Sequence, residues 1–94
     1  MKITEVIWLN RFVDKLEQKH HVQPIEVEQV FAHRPRVQFA ERGKVPGEDL
    51  YAAWGRTDAG RYLIVLFIYK RKGRALVISA RDMNQHEKKR YGKK

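Results

Sequence analysis

A chain of 94 residues suffices for one domain with a modest core, residues 1–94, and leaves no room for a second. With 43% hydrophobic and 33% charged residues it is a folded domain with a heavily charged surface, not a disordered chain. The balance of 20 Lys and Arg against 11 Asp and Glu gives a formal charge of +9, which points to a polyanionic partner: nucleic acid, an acidic protein or an anionic membrane surface.

No cysteine is present, so disulfides and thiolate metal sites are excluded. The opening MKITEVIWLN lacks an apolar core of signal-peptide length, and no uncharged run approaches the ~20 residues that span a bilayer. A cytoplasmic protein with no membrane partner is the expectation.

Ile3 to Trp8 is β-rich enough for a short first strand. Asn10 is placed to cap a helix over Arg11 to His20, in which Phe12, Val13 and Leu16 share a face. Pro24 suits the first turn of a second helix with Val27, Val30 and Phe31 on one side. The segment from His33 to Pro35 ends it, because the residue before a proline is pushed out of the α region. Val37 to Glu41 reads as an outer strand, Arg42 to Gly47 as a loop, and Leu50 to Arg56 as a strand with Leu50, Ala52 and Trp54 on one face.

Tyr62 to Tyr69 is eight residues without a charge, the pattern of a strand buried on both faces. Ala75 to Ala80 returns after the turn at Gly73 as its hairpin partner. Asp82 with Gln85 three residues on has the spacing of a capping box that opens a last helix, and Gly92 to Lys94 reads as a frayed tail. The expected fold is α+β: a curved antiparallel sheet of four to five strands, two N-terminal helices on one face, and a C-terminal helix.

Arg81 stands between a strand and a helix start, where free backbone N–H groups already favour an anion, and a guanidinium there can hold a phosphate in bidentate fashion. Met83, Glu87 and Tyr91 recur every four residues and so form one stripe, which brings a carboxylate toward the arginines Arg61, Arg74 and Arg81. An ion-pair role for Glu87 is the plainer alternative.

The four histidines, His20, His21, His33 and His86, do not fall at metal-ligand spacing. Ser79 is the only serine and lies inside a strand, and no phosphate-binding glycine loop is present, so neither a metal nor a cofactor is expected. What remains is a basic surface with aromatics. Trp54, Tyr51, Tyr62, Tyr69 and Tyr91 are interleaved with Arg56, Arg61, Lys70, Arg71 and Arg74, a composition on which the bases of single-stranded RNA can stack; core packing is the alternative for each ring taken singly.

Trp8, Lys19-His20-His21-Val22, Glu28-Gln29-Val30-Phe31, Gly47-Glu48, Gly55-Arg56-Thr57, Gly60-Arg61, Ile78-Ser79-Ala80-Arg81, Glu87 and Tyr91, in that order, resemble the BrnT family over nearly the whole chain. These are the ribonuclease toxins of type II toxin-antitoxin systems, with a fold similar to RelE. The resemblance implies RNA cleavage and growth arrest. It also implies neutralisation by a small BrnA-type antitoxin that forms a hetero-oligomer with the toxin and contacts operator DNA itself.

The family commonly has glycine where His21 stands and an acidic residue where Leu9 stands. For a metal-independent ribonuclease working through the 2′-hydroxyl, Arg61 and Arg81 are expected as phosphate clamps. Glu87 is expected as proton acceptor or its orienter, and Tyr91 as an acid or stacking group. Lys19, His20, Trp54, Arg56 and Arg74 are expected to contact RNA. A non-catalytic RNA-binding module and a toxin that acts on a protein target remain alternatives.

Overall fold

The uncharged run becomes the middle of the molecule. In a computed structural model, which describes residues 1–92, the elements are β1 (Glu5–Ile7), α1 (Asn10–His20), α2 (Pro24–Ala32), β2 (Arg36–Glu41), β3 (Leu50–Arg56), β4 (Tyr62–Lys70), β5 (Arg74–Asp82) and α3 (Gln85–Gly92). The sheet order is β1-β5-β4-β3-β2, so β4 is central, and β2 through β5 are antiparallel neighbours. The fold is therefore the expected α+β, with three helices and five strands among the described residues.

One pairing differs from expectation. β1 runs parallel to β5, with Glu5, Val6 and Ile7 opposite Arg74, Ala75 and Leu76, and the sheet is mixed. The Thr4 amide donates to the Gly73 carbonyl at 2.8 Å, which ties the start of β1 to the turn where β5 begins. Gly73 has φ +75°, and a Cβ there would lie 2.7 Å from Thr4 Oγ1, so both the turn and the strand beside it require glycine.

α1 packs on β5, and α2 on β3 and β4, all on one side of the sheet. Between them lies the main core of Leu16, Val22, Val27, Val30, Ala53, Leu63, Val65, Phe67, Ala75, Val77 and Ala80. Phe67 is fully buried and meets Phe31 edge-on at 5.3 Å between ring centroids. Burial of a side chain of this size contributes roughly 1.5–3 kcal/mol. Gly55 lets α2 approach, since a Cβ would lie 2.9 Å from Val30 Cγ1. On the opposite face a smaller cluster of Ala52, Trp54, Ile64 and Met83 is flanked by Tyr62, Leu66 and Tyr91.

The helix ends carry local corrections. Asn10 is the first residue of α1 rather than its cap; Leu9 caps it and offers no side-chain acceptor. At the other end His21 adopts the left-handed conformation, φ 54°, and its N–H closes on the Leu16 carbonyl. Leu9 and His21 are the two positions where the resemblance leads to the expectation of an acidic residue and a glycine. Those residue types are the ones an N-cap and a left-handed C-cap favour. By contrast α2 opens with Pro24 and a reciprocal Gln23/Glu26 capping box.

The expected box at Asp82 and Gln85 does not form, because β5 continues through Asp82, which pairs with Leu63. The same spacing recurs two residues later. The Asn84 amide donates to Glu87 Oε1 at 2.9 Å and the Glu87 amide donates to Asn84 Oδ1 at 2.8 Å. Met83 thus precedes α3, yet it is buried with the ring cluster. Gly92 ends α3; the rest of the expected tail, Lys93 and Lys94, lies outside the described residues. No helix among the described residues is long and apolar enough to cross a membrane.

Candidate functional site

Arg81 comes from the last turn-ward residues of β5, opposite Ile64, and so shares the α3 side of the sheet. Its Nη1 and Nη2 donate to Glu87 Oε1 and Oε2, each at 2.7 Å, and Nη1 also reaches the Asp82 carbonyl at 3.1 Å. The Glu87 side chain is 15% exposed and that of Arg81 47% exposed. The guanidinium beside it, helped by the Asn84 amide, holds the Glu87 carboxyl down at about 2 against the cost of its burial, while the same contact raises Arg81. Glu87 is consequently a committed anion, and Arg81 a cation held in one orientation with half its surface in solvent.

Arg61 is used differently from what was expected. Its Nε and Nη2 donate to the two Asp82 oxygens at 2.7 and 2.9 Å, Nη2 also to the His20 carbonyl at 3.1 Å, and Nη1 to the His21 carbonyl at 2.8 Å and Glu26 Oε1 at 3.0 Å. Every donor of the guanidinium is taken. It ties the end of α1 to the start of α2 and to β5, satisfying two helix-end carbonyls. The hydrogen bonds to Asp82 raise Arg61 and lower Asp82. Arg61 therefore works on the α1–α2 side and Arg81 on the α3 side, and the two do not converge on one anion.

A cleft of about 570 Å³ opens between α3, the end of β3 and the turn after it. Tyr62 and Tyr91 meet edge-on in it at 6.0 Å, with Arg56 and Lys88 over the Tyr62 ring at 6.0 and 5.8 Å. His33, the C-cap of α2, reaches the cleft and is hydrogen-bonded through Nε2 to Asp58, whose own amide donates to Gln29 Oε1 at 3.0 Å. With Nε2 engaged by Asp58, Nδ1 is the ring nitrogen left for another partner. The His33–Asp58 pair was missed in the sequence. The residues are 25 apart and carry no shared motif; the Thr57-Asp58-Ala59-Gly60 turn signal alone marks one of them.

The expected RNA contacts separate. Arg56 and Tyr91 line the cleft. Trp54, expected as a stacking ring, is only 8% exposed and lies in the ring cluster with Arg90 at 5.6 Å over it, so its face is taken. Arg74 sits at the opposite end of β5 from Arg81, about 23 Å away along seven strand residues. Lys19 is exposed and His20 half-buried at the end of α1, beside the Arg61 network rather than in the cleft. Arg81 and Glu87 are not among the cleft residues; they pin the first turn of the helix that supplies Lys88 and Tyr91.

A family profile described as the ribonuclease toxin, BrnT, of type II toxin-antitoxin systems matches residues 10–87. The fold is also similar to the crystal structure of the Brucella abortus ribonuclease toxin, BrnT. The TM-score is 0.64 at 18% identity, over 87% of this chain and 99% of that one. No curated protein matches the sequence.

Proposed function

Since this chain belongs to the BrnT family of ribonuclease toxins of type II toxin-antitoxin systems, we propose that it is a metal-independent endoribonuclease that arrests growth until a small BrnA-like antitoxin binds it. The observation that carries the reading is the cleft in which an oriented histidine, two tyrosines and two cations meet. Single-stranded RNA suits such a surface, because bases stack on Tyr62 and Tyr91 while Arg56 and Lys88 hold the backbone.

In this reading His33 Nδ1 takes the proton of the 2′-hydroxyl, and Asp58 steadies the imidazolium that results. The 2′-oxygen bonds to phosphorus and the bond from phosphorus to the 5′-oxygen breaks, leaving a 2′,3′-cyclic phosphate and a free 5′-hydroxyl. The Tyr91 hydroxyl supplies the proton for that leaving oxygen. Arg56 and Lys88 stabilise the charge on the phosphorane. Arg81 holds the phosphate beyond the cleft, and Glu87 is its positioning residue rather than a base. Lys19 and His20 are reserve contacts for a longer strand. Arg61 is assigned to holding the fold.

The test is end-labelled single-stranded RNA incubated with the purified chain in EDTA, beside His33→Gln and Arg81→Ala. Fragments with cyclic phosphate ends from the parent, reduced in both variants, support the proposal. Full cleavage by both variants removes these residues from the chemistry. Intact RNA with the parent, alongside growth arrest in cells, redirects the function to a protein target.

A further inference from the structure

The face of the sheet turned away from α1 and α2 is covered at one end only. Register places its side chains in rows: Arg36, Trp54, Ile64 and Arg81; then Gln38, Ala52, Leu66 and Ser79; then Glu41, Leu50, Ile68 and Leu76; and last Lys70 and Arg74. α3 reaches the sheet at Arg81, Trp54 and Tyr62. The helix packing on the rest of the sheet, that of α1 on β5 and α2 on β3 and β4, lies on the other side. Leu50, Leu66, Ile68 and Leu76 are left half-buried as a contiguous aliphatic patch across three strands.

This is why the run Tyr62 to Tyr69 is apolar on both faces although one face buries Leu63, Val65 and Phe67 and the other only Ile64. A strand with this pattern belongs between two layers, and an aliphatic patch of this kind marks a docking surface.

We propose that this open face seats the antitoxin, through an amphipathic segment that lays an apolar stripe on Leu50, Leu66, Ile68 and Leu76 and sets acidic side chains against Arg74 and Arg81. The inference rests on the toxin reading above. Charge selects the occupant. Arg74 and Arg81 are exposed at the two ends of the patch, and the chain carries +9, so an acidic partner is attracted. A second copy of this chain would bring like rims together at the same net charge. RNA is a poor match as well, because bases stack on rings, and the rings lie at the α3 end while the patch is aliphatic. A segment seated here runs up to Arg81 and α3, and so bears on the substrate side.

The experiment uses the product of the reading frame adjacent to this chain's gene as the probe. Its affinity is measured by calorimetry for the parent, Ile68→Gln, Leu76→Gln and, as a control on α2, Ile25→Gln. RNA cleavage by each is measured in parallel. Hydroxyl-radical labelling of the parent with and without the probe reads the covered side chains directly, whether or not a variant folds.

The expected result is affinity at least ~10-fold weaker for the Ile68 and Leu76 variants and unchanged for Ile25→Gln, with cleavage retained by all. Labelling of Leu66, Ile68 and Leu76 should fall on binding. Unchanged affinity in folded variants overturns the inference, as does protection confined to Ile25 or Phe39. Self-association of the parent that Ile68→Gln abolishes reassigns the face to a second copy and also overturns it. A parent that cuts no RNA but binds the probe through this patch leaves the docking surface standing and removes the ribonuclease reading.

Discussion

Arg81 and Glu87 can be separated by a double-mutant cycle on RNA cleavage. A carboxyl held at about 2 sits some five pH units below neutrality, so placing a proton on Glu87 at pH 7 costs about 7 kcal/mol. A general base works best with a pKa near the working pH, and Glu87 is far from it. Its two oxygens are moreover both occupied by Arg81 at 2.7 Å. Glu87→Gln keeps the capping partnership with Asn84, which glutamine also supports, and leaves Arg81 one acceptor.

The expected loss in kcat for Glu87→Gln is therefore ~10-fold or less, with no acidic limb removed from the pH profile. Arg81→Ala should cost more, about 10- to 100-fold, the magnitude of losing a charge-assisted hydrogen bond to a phosphate outside the reacting centre. The double variant should be no slower than Arg81→Ala, because Glu87 acts through Arg81. Arg81→Lys should recover only part of the rate, since an ammonium cannot hold phosphate in bidentate fashion. A Glu87→Gln loss as large as that of Arg81→Ala, multiplying with it in the double variant, would refute the argument and restore Glu87 as the base.

Leu9→Asp and His21→Gly should each stabilise the chain by about 1 kcal/mol, through an N-cap acceptor and relief of a left-handed backbone, and together raise Tm by roughly 8–16 °C. Thermal unfolding by circular dichroism measures this, and an unchanged or lower Tm for either variant contradicts it. Arg61→Ala should destabilise by about 3 kcal/mol in urea unfolding, because it strands the partly buried Glu26 and two helix-end carbonyls; near-native stability with lost RNA binding would instead make Arg61 a substrate clamp. Glu87 and Asp82 are both held below their ordinary values by arginines. Their contribution is complete above the usual carboxylate range and is lost as pH falls below it, for Glu87 toward about 2. Stability measured from pH 6 to pH 2 should drop, and Glu87→Gln should flatten the curve.

Much of the architecture follows from local patterns. The two-residue alternation of Leu50 to Arg56, the uncharged run from Tyr62 and the prolines at 24 and 35 are enough to order strands and helices, since each depends on neighbours in the chain. The misplaced α3 start shows the limit of such signals. Asp82/Gln85 and Asn84/Glu87 have the same capping spacing, and the choice fell to Arg61, 21 residues away, which takes the Asp82 carboxylate.

The candidate site was readable only in part. Arg81, Glu87 and Tyr91 stand at a strand end and on a helix, positions that turn chemistry and helical spacing reveal. The His33–Asp58 pair, the absorption of Arg61 by three segments, and the burial of Trp54 under Arg90 depend on which elements meet. So does the parallel β1.

By itself the sequence determined the element order, the α+β class, the basic charge and the family motifs, all properties of residues and their near neighbours. Tertiary structure alone decided which carboxylate each arginine takes, which ring is buried and which histidine finds a carboxylate. A charged or aromatic side chain takes its role from long-range partners, and no local pattern encodes those.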